Sequence, residues 1–280
     1  MVLPAHPLAG LASPAGQASH LIAGGQGGPS PLWFATRATG VVALVLLTVT
    51  VMLGIAGATR LSSPRWPRVI TAGLHKNISL LVVAFVVVHV LTTVLDSFVS
   101  ISLVSAIIPF TSSYRTFWLS LGAIAFDMIL AVIVTSLLRT RISFNAWRAV
   151  HWLAYASWPI ALWHGLGTGT DSRLPWLLAL DAGCVLLVAA TLLWRLQQLA
   201  PGLGRAAAMT GTVLVPAATI VFVLVGPLHP HWAKRAGTPA TAHASGADTR
   251  VLRADLDGAT NYPGILMTSR GQALVHPASQ

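Results

Sequence analysis

Apolar residues fill this chain in runs of about 20, the length a helix needs to cross a bilayer, and short polar loops separate the runs. Six spans follow from that rhythm: Leu32–Ala58, Leu74–Asp96, Thr116–Leu138, Trp147–Gly167, Leu174–Leu196 and Ala208–Leu228. Pro216 sits inside the last, where a membrane helix tolerates it better than a soluble one does. Between the second and third spans, "SFVSISLVSAIIPF" is apolar but too short to cross, so it is expected to lie along the interface or fold over the bundle. The pattern predicts an all-α integral membrane protein, a six-transmembrane-helix bundle.

Three parts are expected. Residues 1–31 read as a flexible Gly/Pro/Ala-rich tail, without the basic start and early apolar core of a signal peptide. Residues 32–228 form the transmembrane domain. Residues 229–280 form a polar tail, with room for a short hairpin but too small for a catalytic domain of its own.

Charge sets the orientation. The chain has no glutamate and a net charge of +10, carried mostly by arginine. The first loop holds Arg60, Arg65, Arg68 and Lys76, the third Arg139, Arg141 and Arg148, and the fifth Arg195 and Arg205. The second and fourth loops hold mainly Asp96 and Arg115, then Asp171 and Arg173. Basic loops stay inside, so the odd loops are expected to be cytoplasmic and both termini extracytoplasmic, in a multi-pass protein of the cytoplasmic membrane. The same rule explains the high pI without nucleic acid, for which no basic, aromatic-interleaved polar domain is present. Cys184 is the only cysteine, which excludes an intramolecular disulfide or a Cys-ligated cluster.

The chemistry lies with histidine. Of ten, six (His6, His20, His229, His231, His243 and His276) fall in the tails or at a helix end. His75 and His89 share the second span, His151 and His164 the fourth. These spans run in the same direction, since one helix separates them. At 1.5 Å per residue, 14 residues put His75 and His89 about 21 Å apart, and 13 put His151 and His164 about 19–20 Å apart. His75 can therefore face His151 on the inner side, and His89 can face His164 on the outer side. Facing imidazoles are what a haem iron takes as axial ligands, and two levels can hold two stacked b haems. No CxxCH is present, so covalent attachment is not expected. On an ideal helix the 14-residue spacing returns to within about 40° of one face, but the 13-residue spacing misses by about 140°. Pro159, between His151 and His164, is where a distortion is required.

Other readings compete. A lone intramembrane histidine is often a hydrogen-bonded packing residue, and the chain would then be a transporter or structural membrane protein. Zinc needs four ligands converging on one point, which two separated levels do not supply.

The two segments also carry a resemblance. "LHKNISLLVVAFVVVHV" resembles the first haem helix of the ferric reductase and NADPH oxidase transmembrane domain, and "WRAVHWLAYASWPIALWHGLG" resembles the second. The likeness covers roughly residues 33–200. It implies His75 and His151 as ligands of an inner haem b and His89 and His164 as ligands of an outer one, spaced 14 and 13 residues apart as in that family. It also implies transmembrane electron transfer, with ferric iron as the suggested extracytoplasmic acceptor. Relatives that oxidise NADPH continue into a cytoplasmic flavin and nicotinamide domain; no Gly-rich dinucleotide fingerprint occurs here, so neither site is expected in this chain. The donor is then a membrane quinol or a separate cytoplasmic flavoprotein. The acceptor is ferric iron or a separate redox protein, such as a periplasmic repair reductase of the methionine-sulfoxide type.

Supporting residues are expected around the haems. Arg141 and Arg148 are inner, and Arg115 and Arg173 outer, candidates to face propionates; topology alone explains them equally well. Asp127 and Asp181 lie inside spans three and five and are candidates for proton movement or a hydrogen bond to a histidine Nδ1–H. Trp147, Trp152, Trp158 and Trp163 crowd the fourth span, where their rings can pack on a porphyrin or anchor the interface. "HPHW" at 229–232 is a weak candidate for a surface metal ion.

Overall fold

The computed structural model describes residues 30–59, 67–96, 99 and 101–238, together with two short strands near the C-terminus. Within the first of two compact units, Pro31–Pro239, every regular element among the described residues is helical. The helices are α1 (Pro31–Ala58), α2 (Arg68–Leu95), α3 (Leu103–Ile107), α4 (Thr116–Leu137), α5 (Phe144–His151), α6 (Leu153–Thr168), α7 (Pro175–Gln197), α8 (Leu203–Val225) and α9 (Trp232–Arg235). The second unit contributes an antiparallel hairpin, β1 (Ile265–Met267) on β2 (Ala273–Val275), with Leu266 opposite Leu274. The expected N-terminal tail lies outside the described residues.

Five helices, α1, α2, α4, α7 and α8, are long and apolar enough to cross a membrane. The fourth expected span is not one helix. It is broken at Trp152 into α5 and α6, because the four-residue ladder gives way there to a three-residue bond from the Tyr155 N–H to the Trp152 carbonyl (3.1 Å). Seven residues on, Pro159 sits inside α6 and removes the N–H that would have bonded Tyr155. A tightened turn and a proline thus both lie in the stretch where the 13-residue spacing requires a distortion. Two helices also start earlier than hydropathy implied. Pro67 at the N-cap lets α2 begin at Arg68, and the good helix formers of "LGRAAAM" carry α8 back to Leu203.

The helices bury little of their apolar surface against each other. In α2 only Thr71 and Val82 are buried, and side chains such as Leu137, Leu203 and Val213 stand out from the bundle. In lipid that is no penalty, since the hydrocarbon is as apolar as they are. The core lies where α1 meets α2, α6 and α7: Leu47, Val51 and Ile55, Val82, then Trp158, Leu162 and Leu166, with Cys184, Val185 and Val188. The lone cysteine is therefore a packing residue.

Two pairings dominate. α1 packs along α2, and α4 along α6, whereas α2 and α6 have no substantial packing on each other. The α4–α6 approach is close: a Cβ at Gly167 would collide with the Trp118 ring.

The short apolar segment folds over one end of the bundle, as one of its two expected placements had it. Ser102 caps α3 by accepting from the Ser105 N–H (3.2 Å), and α3 packs on α4. Val99, Ile101 and Tyr114 form a small cluster against Trp33 and Leu119. Arg115 follows at φ 41°, in the left-handed region, a conformation that a non-glycine residue adopts only when its surroundings hold it there. The restraint is visible. Arg115 is 2% exposed, and its guanidinium donates to the Gly167 carbonyl (2.8 Å) and its Nε to Thr238 Oγ1 (2.9 Å). Burial lowers its pKa, with Tyr114 beside it pulling the other way.

Candidate functional site

The four intramembrane histidines meet in two pairs. His75 and His151 have ring centroids 6.3 Å apart with planes at 64°; His89 and His164 have centroids 6.3 Å apart with planes at 87°. An imidazole nitrogen bonds a first-row metal at about 2.0–2.1 Å and lies about 1.1 Å from its ring centre, so two rings on opposite sides of one ion have centroids about 6.2–6.4 Å apart. Each pair has the spacing to share one metal ion. α2 and α6, which carry His89 and His164, have no substantial packing on each other.

Three of the four rings are held in one way. His89 Nδ1 lies 2.7 Å from the Thr36 carbonyl, His75 Nδ1 3.1 Å from that of Thr50, and His164 Nδ1 2.9 Å from that of Trp118. A carbonyl only accepts, so in each ring Nδ1 carries the proton and Nε2 keeps a free lone pair, the tautomer a metal ligand needs.

A glycine stands four residues after each accepting carbonyl: Gly40 after Thr36, Gly54 after Thr50, Gly122 after Trp118. In a helix that carbonyl is bonded to the N–H of the residue four places on, so the glycine sits beside the path by which the imidazole reaches it. A Cβ at Gly122 would lie 2.5 Å from His164 Cε1, at Gly40 2.9 Å from His89 Cε1, and at Gly54 3.3 Å from His75 Cε1. Real contacts at the first two distances do not occur; glycine is required there.

Gly40 and Gly54 are 14 residues apart on α1, as His75 and His89 are on α2. That matched spacing was available in the sequence and is the signal by which the glycines could have been found.

His151 departs from the rule. Its Nδ1 is buried without a hydrogen-bond partner.

A cavity of about 260 Å³ opens at the His89–His164 level, with Arg37, Tyr114, Asp171 and Asp181 also on its wall. Arg37 was not singled out from sequence. Its guanidinium pairs with Asp171 and donates to Thr170, and stands 5.0 Å over the Trp33 ring. A single cation six residues into an apolar run was the available hint.

The other expected residues divide. Arg115 and Arg173 do not line that cavity: Arg115 is committed as described, and Arg173 donates to the Pro227 (2.7 Å) and His229 (2.6 Å) carbonyls. Both tie the ends of helices together. Arg148 lies over Phe144, and the Arg141 N–H bonds the Leu138 carbonyl. Asp181 lines the cavity while Asp127 is half-buried on α4. Neither supplies the Nδ1 bond allowed for them, because backbone carbonyls already do so at three rings.

Of the tryptophans, Trp158 donates to Thr48 Oγ1 (2.8 Å) and Trp163 to Thr219 Oγ1 (2.9 Å), while Trp152 is exposed. Only Trp147 lies against a histidine. The "HPHW" histidines gain no further ligand: among the described residues no three His, Cys, Asp or Glu side chains converge as a metal site.

Fold and site together define a multi-pass helical membrane protein with two levels of paired imidazoles. Residues 39–162 match the family model described as ferric reductase like transmembrane component, the family that the two histidine helices resemble. The matched stretch contains His75, His89 and His151 and stops two residues short of His164. No curated protein and no solved structure matches the chain.

Proposed function

We propose that this chain carries electrons across a membrane by holding two b-type haems, one between His75 and His151 and one between His89 and His164. The observation that carries this reading is the repeated pair: two imidazoles with centroids 6.3 Å apart, twice, between α2 and the consecutive helices α5 and α6. The helical rise separates the levels by about 20 Å. When bound, haem supplies reversible one-electron chemistry.

The protein's part is to bind and orient. Three backbone carbonyls fix the protonated nitrogen and turn the lone pair inward. His75 with His151, and His89 with His164, would hold an iron between two imidazoles, a ligation that favours electron transfer over dioxygen binding. Arg37, already beside the cavity, is placed to offset propionate charge at its level. The mainly apolar wall of the cavity at the His89–His164 level would bear on the potential there.

The basic odd-numbered loops support an orientation with the His75–His151 level toward the cytoplasm and the His89–His164 level toward the outside of the cytoplasmic membrane. Electrons then enter from a quinol or a cytoplasmic flavoprotein and leave to ferric iron or a separate redox protein outside. Family likeness supports ferric iron among these.

The test is an absorption spectrum of the purified full chain, oxidised and dithionite-reduced, with a haemochrome count. Two haems per chain with a low-spin b-type spectrum are expected. A chain expressed with ample haem that shows no Soret band overturns the proposal.

A further inference from the structure

The fourth ligand lacks the carbonyl that holds the other three, and the reason is written in α4. The accepting carbonyl for His164 is that of Trp118, opened by Gly122. Stepping along α4 by the 13 residues that separate His151 from His164 leads from Gly122 to Thr135, and one more residue to Ser136. Neither is glycine. Thr135 Oγ1 already donates to the Ala131 carbonyl (2.7 Å) and approaches that of Val132 (3.2 Å), so its side chain covers the carbonyls that could have served. Ser136 Oγ stands 3.5 Å from Trp147 Nε1.

His151 has a different neighbour. The Trp147 indole, one helical turn earlier on α5, stacks on its ring with centroids 4.9 Å apart and planes at 25°. Trp147 is itself restrained: Arg139 Cζ lies 4.8 Å over the indole, and Phe144 lies 5.7 Å away. A cation over an indole face is a favourable contact, stronger where water is excluded.

We infer that Trp147 is the positioning residue of His151, setting the plane of the imidazole by stacking where the other three are set by a backbone hydrogen bond. The inference rests on the two-haem reading. Stacking fixes orientation but draws nothing from Nδ1–H. A histidine whose Nδ1–H is bonded is the more basic ligand, so His151 is the weakest donor of the four. Weaker donation favours the ferrous state, so the unbonded Nδ1 is expected to hold the potential of the haem shared by His75 and His151 above the value a carbonyl-bonded ring would give.

Trp147→Leu and Trp147→Phe, made in the full chain, test this by haem count, electron paramagnetic resonance of the ferric state and a redox titration. His89→Ala assigns the signals by leaving only the His75–His151 haem. In Trp147→Leu the low-spin signal of that haem is expected to move or broaden and its occupancy to fall below half. The His89–His164 signal is expected to stay in place, and Trp147→Phe, which keeps a flat ring, to return most of the wild-type signal. Two haems with unchanged signals and potentials in Trp147→Leu overturn the inference. So does an equal loss of both haems in Trp147→Leu and Trp147→Phe, which a merely structural tryptophan would give. Fewer than two haems in the wild-type chain would instead overturn the parent reading.

Discussion

The His89–His164 level and the His75–His151 level use the same residue at the same spacing but hold it with different rigour. At the first, both imidazoles bond a carbonyl through a gap that only glycine leaves. The level is also closed by the folded segment around α3 and by the Arg37–Asp171 pair. At the second, His75 bonds its carbonyl past a looser glycine contact, and His151 leans on an indole. Ligand identity alone therefore leaves orientation open. A neighbouring helix supplies it by a polar contact where a glycine opens the way, and at His151 the ring's own helix supplies an aromatic one.

Removing a ligand should have the largest effect. His89→Ala is expected to cut the haem count from two to one and leave the His75–His151 haem spectrally intact; His75→Ala should do the converse. If either variant empties both levels equally, the levels are not independent and the pairing is wrong.

The glycines sharpen the comparison, because the clash they avoid is graded. Overpacking by a methyl group typically costs about 1–3 kcal/mol, and the shortest contact should cost most. Gly122→Ala is expected to displace His164 and lose most of the haem at that level, Gly40→Ala to lose part of it, and Gly54→Ala to keep nearly two haems per chain. Haem occupancy in the three purified variants gives the order. Equal losses would show that the glycines serve helix packing in general rather than access to a carbonyl.

The smallest effect belongs to the closing ion pair. Asp171 is half-exposed, and such a pair contributes about 0.2–1 kcal/mol. Arg37→Gln should therefore leave the fold and haem count intact, lowering the melting temperature slightly. It should lower the potential of the His89–His164 haem alone, since a positive charge nearby favours the reduced iron. A redox titration that moves both haems together would remove Arg37 from that level.

Much of this arrangement was legible in the chain. Apolar runs of about 20 marked the five helices long enough to cross a membrane, and the 14- and 13-residue spacings implied two levels of histidine. The break at Trp152 was half-visible: the spacing demanded a distortion and Pro159 marked its region, but the tightened turn at the end of α5 had no signature of its own. Arg115 and Arg173 looked like haem-facing cations because each was the basic residue of its loop. Their guanidinium groups donate to the Gly167 and Pro227 carbonyls, partners 52 and 54 residues away that no loop pattern announces. Arg37 went unnoticed because its acidic partner, Asp171, lies 134 residues away.

The sequence by itself determined what repeats along the chain: which runs are apolar, the order of the histidines and the approximate distance between levels. Those follow from hydropathy and from a rise per residue that local breaks change little. Tertiary structure alone decided which carbonyl meets which imidazole, where a glycine is indispensable and why the fourth ring rests on tryptophan. These depend on how closely a second helix approaches, and that distance is set by side chains from segments far apart in the chain.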